Sequence, residues 1–207
     1  MTDSSKRGES SMPCEFSRAP SRREQWALFA KNFFQHPKML GSLFPSSRFL
    51  VERLLRKIDW NQARVIVEYG PGVGSFTVEI LRRMRPDALL IVMETNPDFV
   101  DFLRCSFSDA RLRVVHGSAV EVKRVLGDNG FTRADFVISG IPLSTLPDRE
   151  REEILRNTHE VLRPEGALLV YQFSLKALPD LRRIYSRVTR SFEPFNLLPA
   201  QIFHCAP

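Results

Sequence analysis

One segment constrains this chain more than any other: Val67-Glu68-Tyr69-Gly70-Pro71-Gly72-Val73-Gly74. It closes the apolar run from Ala63 and leads into Phe76, Ile80 and Met84, whose spacing places them on one face of a helix. A strand that turns through glycines into a helix lets backbone approach a ligand closely. An ordinary glycine-rich turn has the same composition, so the loop alone decides little. Two acids tip the balance. Glu68 stands in front of the loop, and Glu94 ends the next apolar run, which starts at Ala88.

From Ala63 onward, short apolar runs alternate with helical periods. Strands are expected at 63–70, 88–94, 112–117, 134–140 and 167–173. Helices are expected over Phe76 to Met84, after the Asn96-Pro97 cap, through Ile154, Leu155, Thr158 and Val161, and from Leu178 to Val188. Phe195 to Cys205 reads as a terminal pair of strands. Such alternation implies a parallel sheet covered by helices on both faces. Ahead of it, residues 1–20 read as a disordered tail and 21–60 as a helical lid or membrane-contact segment, leaving 61–207 as the cofactor-binding catalytic domain. In the lid, Ser21 and Glu24 match a capping box, and Trp26, Phe29, Ala30, Phe33 and Phe34 form an aromatic face flanked by Arg22, Arg23 and Lys31. A second helix is expected after Ser46 and Ser47, burying Leu50, Leu54, Leu55 and Ile58.

The formal charge of +6 in 207 residues favours an anionic partner, either nucleic acid or a phospholipid surface, without choosing between them. No apolar run reaches the length of a membrane span, and the polar N-terminus lacks the apolar stretch of a secretory signal. Cys14, Cys105 and Cys205 have no metal-ligand spacing. They read as free thiols in a reducing cytoplasm, and no metal is expected.

Dinucleotide loops space their glycines as G-x-G-x-x-G, whereas this loop reads G-x-G-x-G. A pyrophosphate would also meet Glu68 with like charge. S-adenosylmethionine carries an ammonium and a sulfonium, which suit an acidic strand end, and the two oxygens of Glu94 can accept from both ribose hydroxyls. Residues 65 to 175 resemble the core of the class I S-adenosylmethionine-dependent methyltransferases. Val65 to Gly74 match the first motif of that family and Val92 to Glu94 the second. Leu162-Arg163-Pro164-Glu165-Gly166 matches the turn before its fifth strand. The resemblance implies a Rossmann-like α/β fold: a mostly parallel, seven-stranded sheet with helices on both faces and an N-terminal helical extension. It implies S-adenosyl-L-methionine as cofactor and S-adenosyl-L-homocysteine as product. By resemblance, Glu68, Gly70 and Gly72 surround the methionine part and Glu94 binds the ribose. Ser118 and Ala119 lie against the adenine, and Gly74, Thr95 and Ser139 complete the cofactor contacts. Many members carry an aspartate where this chain has Ser118. A hydroxyl accepts the same bond more weakly, and a helix cap accounts for a serine equally well.

Several further stretches occur in the order and spacing of the bacterial, non-membrane-spanning phosphatidylethanolamine N-methyltransferases. They are Phe33 to Leu50, Ser139-Gly140-Ile141-Pro142-Leu143, Tyr171-Gln172-Phe173 and Asn196-Leu197-Leu198-Pro199-Ala200. The ornithine-lipid N-methyltransferases share the pattern. This resemblance implies methylation of the primary amine of a phospholipid or aminolipid headgroup. It implies a monomer, peripheral at the cytoplasmic face of the inner membrane, that meets anionic lipid through its N-terminal amphipathic helix. The backbone carbonyls of Ser139 and Gly140 and the side chain of Tyr171 are candidates for aligning the amine, with His36 and His204 as candidate proton acceptors. Two alternatives compete. The rRNA adenine dimethylases share the first motif, but they place Asn-[Leu/Ile]-Pro-[Tyr/Phe] after strand four. Here Gly140-Ile141-Pro142-Leu143 offers no ring to stack on a base, so nucleic acid is not the expected partner. The other alternative is a binding module that kept the fold without the chemistry.

Overall fold

The computed structural model describes residues 46–207. The expected tail, the aromatic helix and His36 lie outside the described residues.

The longest apolar runs become strands: β1 (Val65–Tyr69), β2 (Leu89–Glu94), β3 (Leu112–His116), β4 (Ala134–Ser139) and β5 (Leu162–Gln172). Two more follow, β6 (Arg187–Glu193) and β7 (Ala200–Ala206). They form one sheet in the order β3-β2-β1-β4-β5-β7-β6. The first five pair in parallel, and β7 runs antiparallel between β5 and β6. Every residue of β1 is buried, as a strand covered on both faces requires.

Between the strands come α1 (Arg48–Leu55), α2 (Ser75–Arg83), α3 (Pro97–Ser106), α4 (Val122–Asp128), α5 (Asp148–Val161) and α6 (Leu178–Ile184). Alternation along each strand divides the core in two. Ile66, Leu90, Ile138, Leu169 and Tyr171 pack beneath α1, α2 and α3. Val67, Met93, Val137, Val170 and Phe203 pack beneath α4, α5 and α6. The Ser47 hydroxyl accepts from the Leu50 N–H at the start of α1, and the Asn96 side chain accepts from the Asp98 N–H at the start of α3, with Pro97 in the first turn.

Three sequence expectations change. The helix expected from Leu178 to Val188 ends at Ile184, and β6 begins at Arg187. Phe195 to Pro199 is the turn between β6 and β7 rather than a strand of its own. The physical cause is that β6 lies at the sheet edge, where polar residues replace the apolar alternation that marks a half-buried strand. Cys205 is a free, buried thiol, whereas Cys105 is disulfide-bonded, against the expectation of free thiols throughout. Spacing along a chain carries no signal of which cysteines meet. Among the described residues, no helix is long and apolar enough to cross a membrane.

Candidate active site

The loops that leave the C-terminal ends of β1, β3 and β4 are each pinned to the end of a neighbouring strand by a backbone bond. The Gly70 N–H donates to Met93 O at 2.9 Å, the Gly117 N–H to Glu94 O at 3.0 Å, and the Gly140 N–H to Tyr69 O at 2.9 Å. Gly70, Gly72 and Gly74 all take left-handed backbone, with φ of 64°, 54° and 79°. At Gly70 the space is closed as well, since a β-carbon would lie 2.8 Å from Ile141 Cγ2. The first turn of the fold therefore presses directly on the loop after β4.

Two buried carboxylates flank this turn. Glu68, on the α1–α2 face of β1, accepts from the Thr77 hydroxyl at 2.7 Å. Burial is the main reason its carboxyl is pushed up to about 8; the Thr77 bond opposes the rise and the nearby Glu94 adds to it. Burial also raises Glu94, against three backbone donors that favour its charged form. Glu94 Oε1 accepts from the N–H groups of Thr95 at 2.8 Å and Asn96 at 2.9 Å, and Oε2 accepts from Gly72 at 3.2 Å. The carboxylate thus latches the glycine turn to the end of β2. Three of its roughly four acceptor positions are taken, two of them on Oε1, so gripping a diol with both oxygens requires the Thr95 or Asn96 N–H to yield.

Beside the latch opens a cleft of about 250 Å³ lined by Gly70, Glu94, Thr95, Ser118, Ala119 and Ile141, among others. It joins most of the positions expected to contact a cofactor. Met93, Pro142, Leu146 and Ile154 also line it, although none of them was expected to contact a cofactor: Met93 and Pro142 lie inside quoted motifs, and Ile154 lies in an expected helix. The Ser118 hydroxyl accepts from the Val120 N–H at 3.3 Å, capping a single 3₁₀ turn at Ala119–Glu121. Ser139, at the end of β4, is buried with no partner for its hydroxyl among the described residues. A larger cleft of about 630 Å³ lies at the opposite end of the sheet, around Asp59, Arg64, Asp135 and Arg163. Its polar groups are engaged within the fold: Asp135 Oδ2 accepts from the Arg64 and Val65 N–H groups at 2.8 Å each, and Oδ1 pairs with Arg163 at 3.2 Å.

On the α1–α2 side of the same loops sits Tyr171. Its ring stacks on Phe76 with centroids 5.2 Å apart, and its hydroxyl accepts from Ser46 Oγ at 3.4 Å. Burial pushes the phenol up to about 12, so it stays neutral and cannot serve as a base near neutral pH. Gly140 gives the hydroxyl room, because a β-carbon there would lie 2.7 Å from Tyr171 Oη. Gln172 holds the adjoining backbone by donating to Ile141 O at 2.8 Å and Tyr171 O at 2.7 Å. Thr77 was not singled out in the sequence, and Gln172 entered only as part of the Tyr171-Gln172-Phe173 stretch, with no role; a buried amide closing an apolar strand is the signal that points to its role. His204 is placed elsewhere. It lies two residues below Ile202, the partner of Tyr171, where burial and nearby Lys57 lower its pKa.

Comparison with known proteins agrees with this arrangement. Residues 66–166 match the methyltransferase domain family. The chain is 37% identical over 180 residues to the ornithine lipid N-methyltransferase of Singulisphaera acidiphila, covering 86% of this chain and 94% of that protein. It is 29% identical over 85 residues to the ribosomal RNA small subunit methyltransferase A of Mycoplasma mycoides, which covers 41% of this chain and 31% of that protein. Among solved structures, the fold resembles a precorrin-6y C5,15-methyltransferase from Geobacter metallireducens, with a TM-score of 0.60 and 19% identity over 76% of this chain and 87% of that one. PigF with S-adenosylhomocysteine also has a TM-score of 0.60, at 16% identity over 90% of this chain and 63% of that one. With its glycine turn, paired acids and seven-stranded sheet, the chain belongs to the Rossmann-like, S-adenosylmethionine-dependent methyltransferases.

Proposed function

We propose that this methyltransferase acts on the primary amine of a lipid headgroup, an aminolipid such as ornithine lipid or a phospholipid such as phosphatidylethanolamine. The observation that carries the reading is the near full-length likeness to an ornithine lipid N-methyltransferase. The site is chemically suited to the cofactor. Two buried acids favour a cationic ligand, the left-handed glycine turn leaves backbone open to it, and the orphaned Ser139 hydroxyl offers a donor. In this reading Glu68, Gly70, Gly72 and Gly74 hold the methionine end, Glu94 and Thr95 the ribose, and Ser118 and Ala119 the adenine, with Ser139 beside the glycine turn. Bound there, S-adenosylmethionine supplies an electrophilic methyl group on a sulfonium that leaves readily.

The chain's own part is placement. A headgroup ammonium with a pKa near that of lysine, about 10.4, must lose a proton before its lone pair can react. In this reading the amine is desolvated against the stacked rings of Phe76 and Tyr171, which favours its neutral form. The Tyr171 oxygen and the carbonyls of Ser139 and Gly140 accept its N–H groups and fix the direction of the lone pair, and orientation of this kind supplies about 7–11 kcal/mol of the barrier. An adenine substrate fits less well. Leu143, which stands where an aromatic residue would stack on the base, is buried in the core.

The test is transfer of labelled methyl groups. Ornithine lipid or phosphatidylethanolamine in mixed micelles should take up label, and undermethylated rRNA should not. Label in dimethyladenine with unlabelled lipid would overturn the proposal.

A further inference from the structure

Apart from Phe131, which precedes β4, the large apolar side chains that stay exposed gather at one end of the described residues. Phe173 and Leu175 follow β5, Phe49 opens α1, and Phe195, Leu197 and Leu198 occupy the turn between β6 and β7. Phe195 and Leu197 are 70% and 60% exposed. Because β6 runs parallel to β5, this turn projects from the same end of the sheet as the glycine turn and the loop after β4. Exposed apolar side chains scattered singly need no explanation; a cluster at the end of the sheet that carries the candidate site does.

The cluster is held in place. The Phe49 and Phe195 rings meet at 5.7 Å. The Ser47 N–H donates to Asn196 Oδ1 at 2.8 Å, the Phe195 N–H to Glu193 Oε1 at 2.8 Å, and Asn196 Nδ2 to Leu198 O at 2.9 Å. Ser46, next to Ser47, reaches the Tyr171 hydroxyl. The rim is therefore tied to the amine end of the site through two adjacent serines.

Outside ion pairs, its charges have one sign. Arg48 lies 4.8 Å over the Phe49 ring, Lys176 follows Leu175, and Arg190 stands on β6, all exposed. The acids of these segments are paired: Glu193, buried, with Arg53 at 2.7 Å, and Glu52, exposed on α1, with Arg83. Aromatic and leucine side chains ringed by unopposed cations match an anionic bilayer surface, where rings settle at headgroup level and cations meet lipid phosphate. We propose that the Phe195–Leu198 turn, with Phe49 and Phe173 beside it, inserts into the surface of an anionic bilayer and sets the Tyr171 end of the site at headgroup level. The inference rests on the lipid-amine reading for its purpose, and it is separate from any role of the N-terminal helix.

The experiment uses the full chain with vesicles of phosphatidylglycerol or of phosphatidylcholine alone. The protein should sediment with the anionic vesicles and release as salt rises. A variant carrying Phe195→Ser, Leu197→Ser and Leu198→Ser should bind them at least about tenfold more weakly. It should still methylate a monomeric short-chain aminolipid at a rate within about twofold of the parent. A single Phe195→Trp variant, which leaves the turn apolar, should show a blue-shifted emission on binding anionic vesicles. Unchanged vesicle binding by the triple variant, no shift from Trp at 195 in the bound state, or no binding by the parent would each overturn the inference. So would loss of a dimer, without loss of vesicle binding, in the triple variant. Tip-dependent vesicle binding with no methylation of any lipid amine would sink the proposed function and leave the rim standing.

Discussion

A β-carbon added to Gly140 would stand 2.7 Å from the Tyr171 hydroxyl oxygen and 3.0 Å from the Gly70 carbonyl oxygen. The hydroxyl can swing away only by giving up Ser46, and the carbonyl belongs to the pinned glycine turn. Gly140→Ala should therefore cost about 1–3 kcal/mol of stability and lower kcat. In a Tyr171→Phe background the clash with the oxygen disappears, so the same substitution should cost less stability there. Thermal denaturation of the four proteins of this double-mutant cycle measures the difference, and equal costs in both backgrounds would show that the two residues do not press on one another. The glycine turn and its acids were legible in the sequence because type and spacing carry their chemistry. The need for glycine at position 140 was not, because it arises from a tyrosine 31 residues away that only the fold brings near.

At the scale of elements, the first five strands and the helices between β1 and β3 declared themselves through apolar runs and caps. The missed elements had weak local signals. In α4 (Val-Lys-Arg-Val-Leu-Gly-Asp) a glycine interrupts a single buried stripe, and β6 alternates polar residues with few apolar ones because it is an edge strand of the sheet. The link between α1 and the β6–β7 turn was likewise invisible, since Ser47 and Asn196 are separated by 149 residues. Asn196→Ala removes the acceptor for the Ser47 N–H and the donor to Leu198 O. The expected loss is about 0.5–1.5 kcal/mol per bond, read as a lowered Tm. An unchanged Tm would show that water replaces both bonds without cost.

For the molecule as a whole, Glu68 makes stability depend on pH. An ordinary carboxyl near 4.5 loses its proton in the unfolded chain while the buried group, at about 8, still holds one. The folded state therefore binds more protons across that window, and its contribution to stability falls as pH rises from about 4.5 to about 8. Glu68→Gln should flatten this slope and raise the Tm of the cofactor-free protein at pH 8 above that of the parent. The same change should weaken S-adenosylmethionine binding by about 1.5–3 kcal/mol, the worth of a hydrogen bond to a charged group. Denaturation across pH and calorimetry with the cofactor check both arms. A parallel slope in the variant would show that Glu68 does not titrate in this range.

The position of β7 between β5 and β6 has a consequence for biosynthesis. Residues Ala200–Ala206 leave the ribosome after the other six strands of this sheet, yet among the described residues they supply the one ladder that attaches β6 to it. Until they emerge, β5 presents an open edge to its surroundings, and β6, though already made, has no neighbour to pair with. The polypeptide thus acquires this edge of the sheet, with the Phe195–Leu198 turn that β6 and β7 carry, in a single late step.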